Sequence, residues 1–323
     1  MVFDGHCDIF TDVTVRRLRG EKQVLKQHHL PRLRKGMIEG GCFVLWIDPP
    51  HDANPPKRLA ELLHCVKEEM AECEEAKLIT SYRELEEARK AGKFYILAGM
   101  EGLSGIAGDL DKIDELYDFG IRHAMLTWNE QNELGTGAKA DPACGLTALG
   151  RQAVRMLHDR HMLVDVSHTN EKTFWDMARI NGGPLIASHS NVRALADVPR
   201  NLTDAQMKEI RNTNGLIGLN SFRLFVHSDR ERQTIDGLIR HADHIADKIG
   251  VEHLALGLDF CEFFETQAST SMGEEENLFT VGLEDCTGVP LLLERMKAAG
   301  FTEQEMQKIC YENWWNLIKR VIG

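Results

Sequence analysis

The chain has 323 residues, a hydrophobic fraction of 43% and a formal net charge of −12. The acidic balance argues against nucleic acid and anionic membranes as partners, and no apolar run has the length of a membrane span. The N-terminus lacks a basic region followed by an apolar stretch, so a cleaved signal is not expected. The eight cysteines are scattered without a CxxC pair, which is typical of reduced thiols. We therefore expect a cytoplasmic protein.

Short apolar runs alternate with amphipathic stretches along the whole chain. The runs predict strands at 2–10, 41–47, 94–100, 122–128, 162–168, 184–189, 215–220 and 253–259. The amphipathic stretches predict helices at 57–76, 84–91, 110–119, 147–160, 169–180, 203–212, 233–249, 290–299 and 302–321.

Eight apolar strands separated mostly by helices predict an α/β fold with a parallel sheet closed into a (β/α)8 TIM barrel. We expect one domain over residues 1–323, with helices at its C-terminal end. An open doubly wound sheet is the competing architecture. No GxGxxG motif follows the first strand, and eight units fit a closed barrel well.

His6 and Asp8 lie two residues apart in the first apolar run. In a strand, their side chains would point to the same face, where an imidazole and a carboxylate can bind one divalent metal. Such a pair is a weak signal when taken alone. A surface histidine beside a turn aspartate is then the simpler interpretation.

Polar residues recur at the C-terminal ends of the predicted strands. They are His6, Asp8, Asp48, Glu101, Trp128, Asn129, His168, His189, Asn220 and Asp259. In a closed barrel these ends meet at one rim, where barrel enzymes keep their active sites. Six of the residues are of metal-ligand type: His6, Asp8, Glu101, His168, His189 and Asp259. Each alone has an ordinary explanation as a turn acid, a helix cap or a core histidine, but their convergence favours a metal site.

Three histidines and two or three carboxylates are enough for two metal ions, and this donor set suits Zn²⁺ or an ion of similar preference. A carboxylate such as Glu101 can bridge two ions about 3.5 Å apart. A water between the ions becomes a nucleophile near neutral pH, and Asp259 is the natural group to carry its proton to the leaving nitrogen. These residues predict hydrolytic chemistry without an organic cofactor.

Eight short motifs are spread over nearly the whole chain. They are Asp4-Gly-His-Cys-Asp8, Met100-Glu-Gly102, Leu126-Thr-Trp-Asn129, Val164-Asp-Val-Ser-His168, Ser188-His-Ser-Asn191, Pro199-Arg-Asn-Leu-Thr-Asp204, Gly257-Leu-Asp-Phe260 and Gly282-Leu-Glu-Asp285. Together they resemble the membrane (renal) dipeptidase family of binuclear zinc peptidases, which belongs to the amidohydrolase-like barrels of the metal-dependent hydrolase type. The Leu-Thr-Trp-Asn form resembles the microbial members.

The resemblance implies two zinc ions per chain. One ion would be held by His6, Asp8 and Glu101, and the other by Glu101, His168 and His189, with Glu101 bridging. Arg200 matches the arginine that binds the substrate carboxylate. Asp259 matches the acid that handles the proton and binds the free amino group.

The chain departs from the mammalian pattern next to the substrate. Trp128 stands where those members carry a histidine at the substrate carbonyl, so Asn129 or a metal would stabilise the oxyanion. We expect Trp128 and Asn129 to contact the substrate. The loop over residues 260–288 also differs from the family pattern. We expect it to line the substrate pocket, with Glu265, Glu274, Glu275 and Glu276 among its residues.

The resulting hypothesis is a metal-dependent dipeptidase whose small-molecule substrate is a dipeptide, including dipeptides with a C-terminal D-residue. A related amidohydrolase, such as an N-acyl amino acid deacylase, is the alternative enzyme. A metal-binding barrel without catalysis is a third hypothesis, and the complete ligand set argues against it. Trp314 and Trp315 predict core packing or an oligomer contact, such as a homodimer.

Overall fold

The computed structural model describes residues 1–180, 182–264, 271 and 278–323. The strands in these residues are β1 Val2–Cys7, β2 Ile38–Trp46, β3 Ala76–Leu78, β4 Phe94–Glu101, β5 Ile121–Met125, β6 Leu163–Asp165, β7 Leu185–Ile186, β8 Ile217–Leu219 and β9 Leu254–Leu256. All eight predicted strands are present, and β3 is an additional short one.

The strands form a closed parallel ring. Hydrogen-bonded pairs join β1, β2, β4, β5, β6 and β7 in that order, and β8 pairs with β9. A parallel bridge between Ala187 and Ile217 links the end of β7 to β8, and one between Cys7 and Phe260 links β1 to the segment after β9. The ring confirms the predicted (β/α)8 barrel. β3 pairs with the start of β4 and lies outside the ring.

The helices in the described residues are α1 Ile9–Leu18, α2 Leu30–Lys35, α3 Pro55–Glu72, α4 Tyr82–Lys90, α5 Lys112–Phe119, α6 Ala148–Asp159, α7 Glu171–Ala178, α8 Asp204–Asn212, α9 Ile235–Ile249, α10 Val289–Ala299, α11 Glu303–Gln307 and α12 Asn313–Val321. The predicted capping box at Thr203 is present, with Gln206 as its partner. Within the described residues, no helix combines the length and the apolar character that a bilayer span requires.

Two sequence predictions were wrong at element boundaries. The first strand was predicted to run to residue 10, but it ends at Cys7, and α1 begins at Ile9. Asp12 in the first turn of α1 and basic residues in its last turn stabilise the helix through its dipole. The apolar residues at the start of the helix continue those of the strand, so their pattern did not show the boundary. The helix predicted to run to residue 76 ends at Glu72, and Ala76 instead starts β3, a strand too short to show an alternating pattern.

The lower part of the barrel is filled by large apolar side chains that surround Trp314 of α12. Trp314 is fully buried, and its Nε1 donates to the carbonyl of Leu256 at 3.0 Å. A Cβ at position 5 would lie 2.1 Å from the Trp314 ring, so only glycine fits there. Trp315 is also buried, so the predicted core role of this pair is confirmed.

An irregularity in β1 places His6 above this packed layer. Asp4 pairs with Gly41 and Cys7 pairs with Phe43, so β1 uses one residue more than β2 over this interval. Such a bulge interrupts the alternation of side chains and re-aims a residue, commonly next to an active site. Gly5 therefore lies against Trp314, while the next residue, His6, reaches the rim of the barrel.

Candidate metal centre and active site

The rim brings together the six predicted residues of metal-ligand type. Five of them have 7% or less of their surface exposed, and the sixth, Asp259, has a side chain that is 16% exposed. The six are His6, Asp8, Glu101, His168, His189 and Asp259. Residues up to 253 positions apart in the chain thus share one buried site, because the parallel strands end on the same side.

Glu101 lies at the centre of the group. Its Oε2 is 3.2 Å from Nε2 of His6. Its Oε1 is 2.9 Å from Nε2 of His168 and 4.0 Å from Nε2 of His189. The two oxygens of one carboxylate therefore face different histidines, which is the arrangement of a carboxylate that bridges two cations.

Two further carboxylates lie around His6. Nε2 of His6 is 4.0 Å from Oδ2 of Asp8 and 3.8 Å from Oδ1 of Asp259. Potential ligand atoms of these three residues all lie within 4.8 Å of one another, as do those of His6, Glu101 and His189. One imidazole and several carboxylates are a suitable donor set for a divalent cation.

The other two histidines each have Nδ1 in contact with a side chain, and their Nε2 atoms face Glu101. Nδ1 of His168 lies 3.0 Å from Oδ1 of Asn129, and because an amide oxygen only accepts, Nδ1 carries the proton and Nε2 is free. Nδ1 of His189 lies 2.8 Å from the hydroxyl of Ser188. Burial, with the positive charge of Arg200 adding to it, lowers the pKa of both histidines well below the ordinary value.

Three buried carboxyls at the site favour a bound cation, because burial makes their charged form costly. Burial raises the pKa of Asp8 well above its ordinary value, that of Glu101 to about 8 and that of Asp259 to about 6. Oδ1 of Asp8 is also buried without a hydrogen-bond partner in the structure. Buried charge and unpaired polar atoms are costly unless a partner satisfies them. The residues present therefore fit divalent cations.

Two site residues have a left-handed backbone. φ is 66° at His168 and 60° at Asp259, in the loops that follow β6 and β9. A non-glycine residue in this region is strained by about 1–2 kcal/mol. Such strain persists where the surrounding structure enforces it, and it is common at functional sites.

A cavity of about 250 Å³ opens onto this group. Arg200, which is 6% exposed, lines it and donates from Nη1 to the Ser190 hydroxyl and from Nη2 to the His189 carbonyl, both at 3.3 Å. Its buried Nε has no hydrogen-bond partner among the described residues. Burial lowers the pKa of Arg200 to about 10, so the guanidinium stays charged near neutral pH. The cavity thus combines a buried cation with apolar walls that include Phe222 and Phe225.

Trp128 separates this cavity from a second one. Its ring lies 5.0 Å from that of Trp46 and 5.9 Å from that of His168. The second cavity, of about 370 Å³, shares Glu101 and Trp128 with the first and carries the acidic side chains Asp52, Glu130 and Glu133. The loop over residues 129–145, together with Trp128, therefore supplies walls to both cavities.

Sequence reasoning missed the contacts by which two residues orient the predicted ones. Asn129, expected at the substrate, also accepts from His168, and Asn220 donates from Nδ2 to Oδ2 of Asp259 at 2.8 Å. The position of Asn220 at a strand end predicted that it lies at the rim, but it could not predict the contact with Asp259. Glu265, Glu274, Glu275 and Glu276, which we expected at the pocket, lie outside the described residues.

Comparison with known proteins decides the family. The model of the membrane dipeptidase family, peptidase family M19, matches residues 1–322. The chain belongs to this family. A protein in the pqqA 5′ region of Klebsiella pneumoniae is 32% identical over 254 residues, which is 76% of this chain and 89% of that protein.

Two solved structures of metallopeptidases are similar over nearly their full length. One, from Rhodobacter sphaeroides, carries a phosphinate mimic of the dipeptide L-Ala-D-Ala; it has a TM-score of 0.85, 28% identity and coverage of 99% of both chains. The other, dipeptidase AC of family M19, has a TM-score of 0.86 and 30% identity, and covers 100% of this chain and 98% of its own. The M19 member described here is thus a metallopeptidase of the dipeptidase type, as its motifs predict.

Proposed function

We propose that the protein is a zinc dipeptidase that holds two zinc ions per chain and hydrolyses free dipeptides. The observation that carries the proposal is the position of Glu101. Each of its carboxylate oxygens faces a different histidine, beside a cavity that also contains Arg200 and Asp259.

The ligands divide into two groups around Glu101. His6 and Asp8, with Oε2 of Glu101, would hold one ion, and His168 and His189, with Oε1, would hold the other. Nitrogen and oxygen donors in these numbers suit zinc. When bound, the ions polarise the scissile carbonyl and lower the pKa of water so that it can attack near neutral pH.

Arg200 recognises the C-terminal carboxylate of the substrate. Its guanidinium is buried beside the cavity, and its Nε has no hydrogen-bond partner in the structure. The fixed fork of donors in arginine matches the geometry of a carboxylate. A free C-terminus would supply an acceptor for Nε and a negative charge for this buried cation.

Asp259 binds the free amino group and moves the proton. Asn220 holds its Oδ2, so Oδ1, which faces His6, remains for the reaction. Asp259 accepts the proton that the attacking water loses and donates it to the leaving nitrogen as the C–N bond breaks. A pKa raised to about 6 by burial is well matched to both steps near neutral pH.

Asn129 and Trp128 complete the substrate contacts. Oδ1 of Asn129 is engaged by His168, which leaves the Nδ2 amide to donate to the developing oxyanion. Trp128 forms the wall between the two cavities and limits where the scissile bond can lie.

The substrates include dipeptides with a C-terminal D-residue. The Rhodobacter sphaeroides relative carries a mimic of L-Ala-D-Ala, and the similarity extends over 99% of both chains. We also propose that the protein forms one domain and works in the cytoplasm. All eight of its cysteines are free thiols, which is typical of a reducing compartment.

A turnover panel tests the function. Purified, zinc-loaded protein should contain close to two zinc ions per chain and hydrolyse L,L- and L,D-dipeptides. N-acetyl amino acids and dipeptide amides serve as matched controls that lack one of the two charged termini, and they should react far more slowly. Faster turnover of N-acyl amino acids would support a deacylase instead, and protein that neither binds zinc nor gains activity with it would refute the proposal.

A further inference from the structure

Two buried aspartates lie behind the candidate ligands and have no assigned role. Asp4 lies in β1, two residues before His6, and Asp165 is the last residue of β6, three residues before His168. Both are 0% exposed. Neither lines the cavity beside the metal centre, so neither reaches a substrate there.

The two aspartates make the same pair of contacts. Oδ1 of Asp165 accepts from the backbone N–H of Ser167 at 2.8 Å and from that of Ser188 at 3.2 Å. Oδ1 of Asp4 accepts from the backbone N–H of His6 at 3.4 Å and from that of Leu258 at 2.7 Å. In each case one carboxylate oxygen accepts from two backbone amides. One amide lies two residues after the aspartate, and the other lies at the end of a different strand.

The amides tied by Asp165 immediately precede His168 and His189. The side chains of the same two serines continue the connection to His189. The Ser188 hydroxyl lies 2.8 Å from its Nδ1, and the Ser167 hydroxyl accepts from its backbone N–H at 3.3 Å. One carboxylate thus fixes the backbone at both histidines of the second ligand group.

The amides tied by Asp4 belong to the other half of the site. One is the amide of His6 itself, and the other, at Leu258, immediately precedes Asp259. Asp259 has a left-handed backbone, which its surroundings must enforce. The connection therefore sets the position of His6 relative to Asp259, the pair whose side chains approach to 3.8 Å.

We propose that Asp4 and Asp165 are positioning residues, each of which aligns the ligands of one metal position. Asp4 serves the position of His6, and Asp165 serves the position of His168 and His189. His123 holds Asp165 in place from β5, with its Nε2 2.7 Å from Oδ2. The inference rests on the proposed two-metal function. It explains why an aspartate recurs in the motifs around His6 and His168 without reaching the cavity.

The test is a crossed comparison of zinc affinities. Asp165→Ala and Asp4→Ala are titrated with Zn²⁺ against a chromophoric chelator, after removal of metal. Loss of a partner behind a metal ligand typically costs 10–100-fold in metal affinity. We expect Asp165→Ala to weaken one of the two zinc ions by that factor, and Asp4→Ala to weaken the other.

Crystal structures of the metal-free variants assign each loss to a position. Asp165→Ala should lengthen the 2.9 Å separation of the His168 and His189 Nε2 atoms and leave the 3.2 Å separation of His6 and Glu101 unchanged. Asp4→Ala should do the opposite. This comparison needs no metal, so it decides the positioning role even if the wild-type protein binds fewer than two zinc ions and the proposed function fails.

Two controls separate positioning from general stability. Asp12 forms a buried ion pair with His29 at 2.8 Å, so Asp12→Ala should lower stability without weakening one zinc ion selectively. Asp165→Asn and Asp4→Asn keep an acceptor oxygen and should restore near wild-type affinity. If an alanine variant does not fold, Asp165→Leu or Asp4→Leu removes the acceptor without leaving a cavity and should weaken the same ion. Equal weakening of both ions by either variant, or no weakening, would overturn the proposal.

Discussion

The Nε2 atoms of His168 and His189 lie 2.9 Å apart. Each ring is held from its other nitrogen, by Asn129 for His168 and by Ser188 for His189. With the Ser188 hydroxyl as acceptor, Nδ1 of His189 carries its proton and both Nε2 atoms present lone pairs, which repel at this distance unless a cation lies between them. The lowered pKa of both rings keeps them neutral, so an imidazolium is not that cation. A metal cation is the partner that this geometry favours.

Replacement of Glu101 is expected to empty both metal positions. Its two oxygens face His6 on one side and His168 on the other, so Glu101→Ala removes a ligand from each ion at once. Metal analysis should fall from about two zinc ions per chain to nearly none, and hydrolysis should be lost. Asp48→Asn is a matched control, because Asp48 is a buried strand-end acid that pairs with Arg58 and belongs to neither candidate ligand group. Two retained ions in Glu101→Ala would contradict the bridging role.

Arg200→Ala is expected to raise KM for dipeptides about 10- to 100-fold, because the substrate carboxylate loses a hydrogen bond to a charged group. The same change should affect dipeptide amides much less, because they lack the carboxylate that the guanidinium binds. Steady-state kinetics on both substrate series measure the difference. Equal activity of the wild-type protein on dipeptides and their amides would exclude the carboxylate role of Arg200.

Asp259→Asn is expected to lower kcat by roughly 10²–10⁴-fold, the usual contribution of a proton-transfer residue. The asparagine side chain has the shape of the aspartate and keeps an oxygen that can accept from Asn220. Zinc content should stay close to wild type, because Asp259 is not one of the five proposed zinc ligands. Kinetics and metal analysis on the same preparation separate the two effects. An unchanged kcat would assign the proton transfer to another group.

The metal-free protein is expected to lose stability as the pH rises above neutral. Burial raises the pKa of Asp259 to about 6 and that of Glu101 to about 8, above the value near 4 of an unfolded chain. Between about pH 4 and 8 these two carboxyls bind more protons in the folded state than in the unfolded state, whereas the lowered pKa of His168 and His189 has the opposite effect up to about pH 7. Between about pH 7 and 8, where unfolded histidines are already neutral, the free energy of unfolding should therefore fall.

Urea unfolding at about pH 7 and about pH 8 measures this effect. Zinc displaces the protons, so the zinc-loaded protein should lose the dependence and gain about 2.7 kcal/mol per ion at a hundredfold excess over Kd. Metal-free protein that is more stable at about pH 8 than at about pH 7 would show that these carboxylates do not control its stability.

Gly5→Ala is expected to destabilise the fold by about 1–3 kcal/mol, the usual cost of overpacking. The added Cβ would meet the Trp314 ring at 2.1 Å. Because His6 is the next residue, zinc affinity should fall as well. Chemical denaturation of Gly5→Ala, Trp314→Leu and the double variant forms a thermodynamic cycle. If the overlap is the cause, the double variant loses less stability than the sum of the single variants.

Much of this protein could be predicted from its sequence. Apolar runs at regular intervals marked the eight strands of the barrel, because side-chain periodicity is a local property. The same strands fixed which residues reach the rim, so the six residues of metal-ligand type at His6, Asp8, Glu101, His168, His189 and Asp259 followed from position alone. Family motifs added Arg200, which no local pattern distinguishes from a surface arginine.

Tertiary structure decided which atoms meet. The bulge at Gly5 and His6, the two-sided environment of Glu101 and the contact between Asn129 and His168 depend on the register of strands that are far apart in sequence. The roles of Asp4 and Asp165 have the same origin, since each aspartate contacts an amide of another strand end. Periodicity determines the face on which a side chain lies, but its partner across the barrel is determined only when the ring closes.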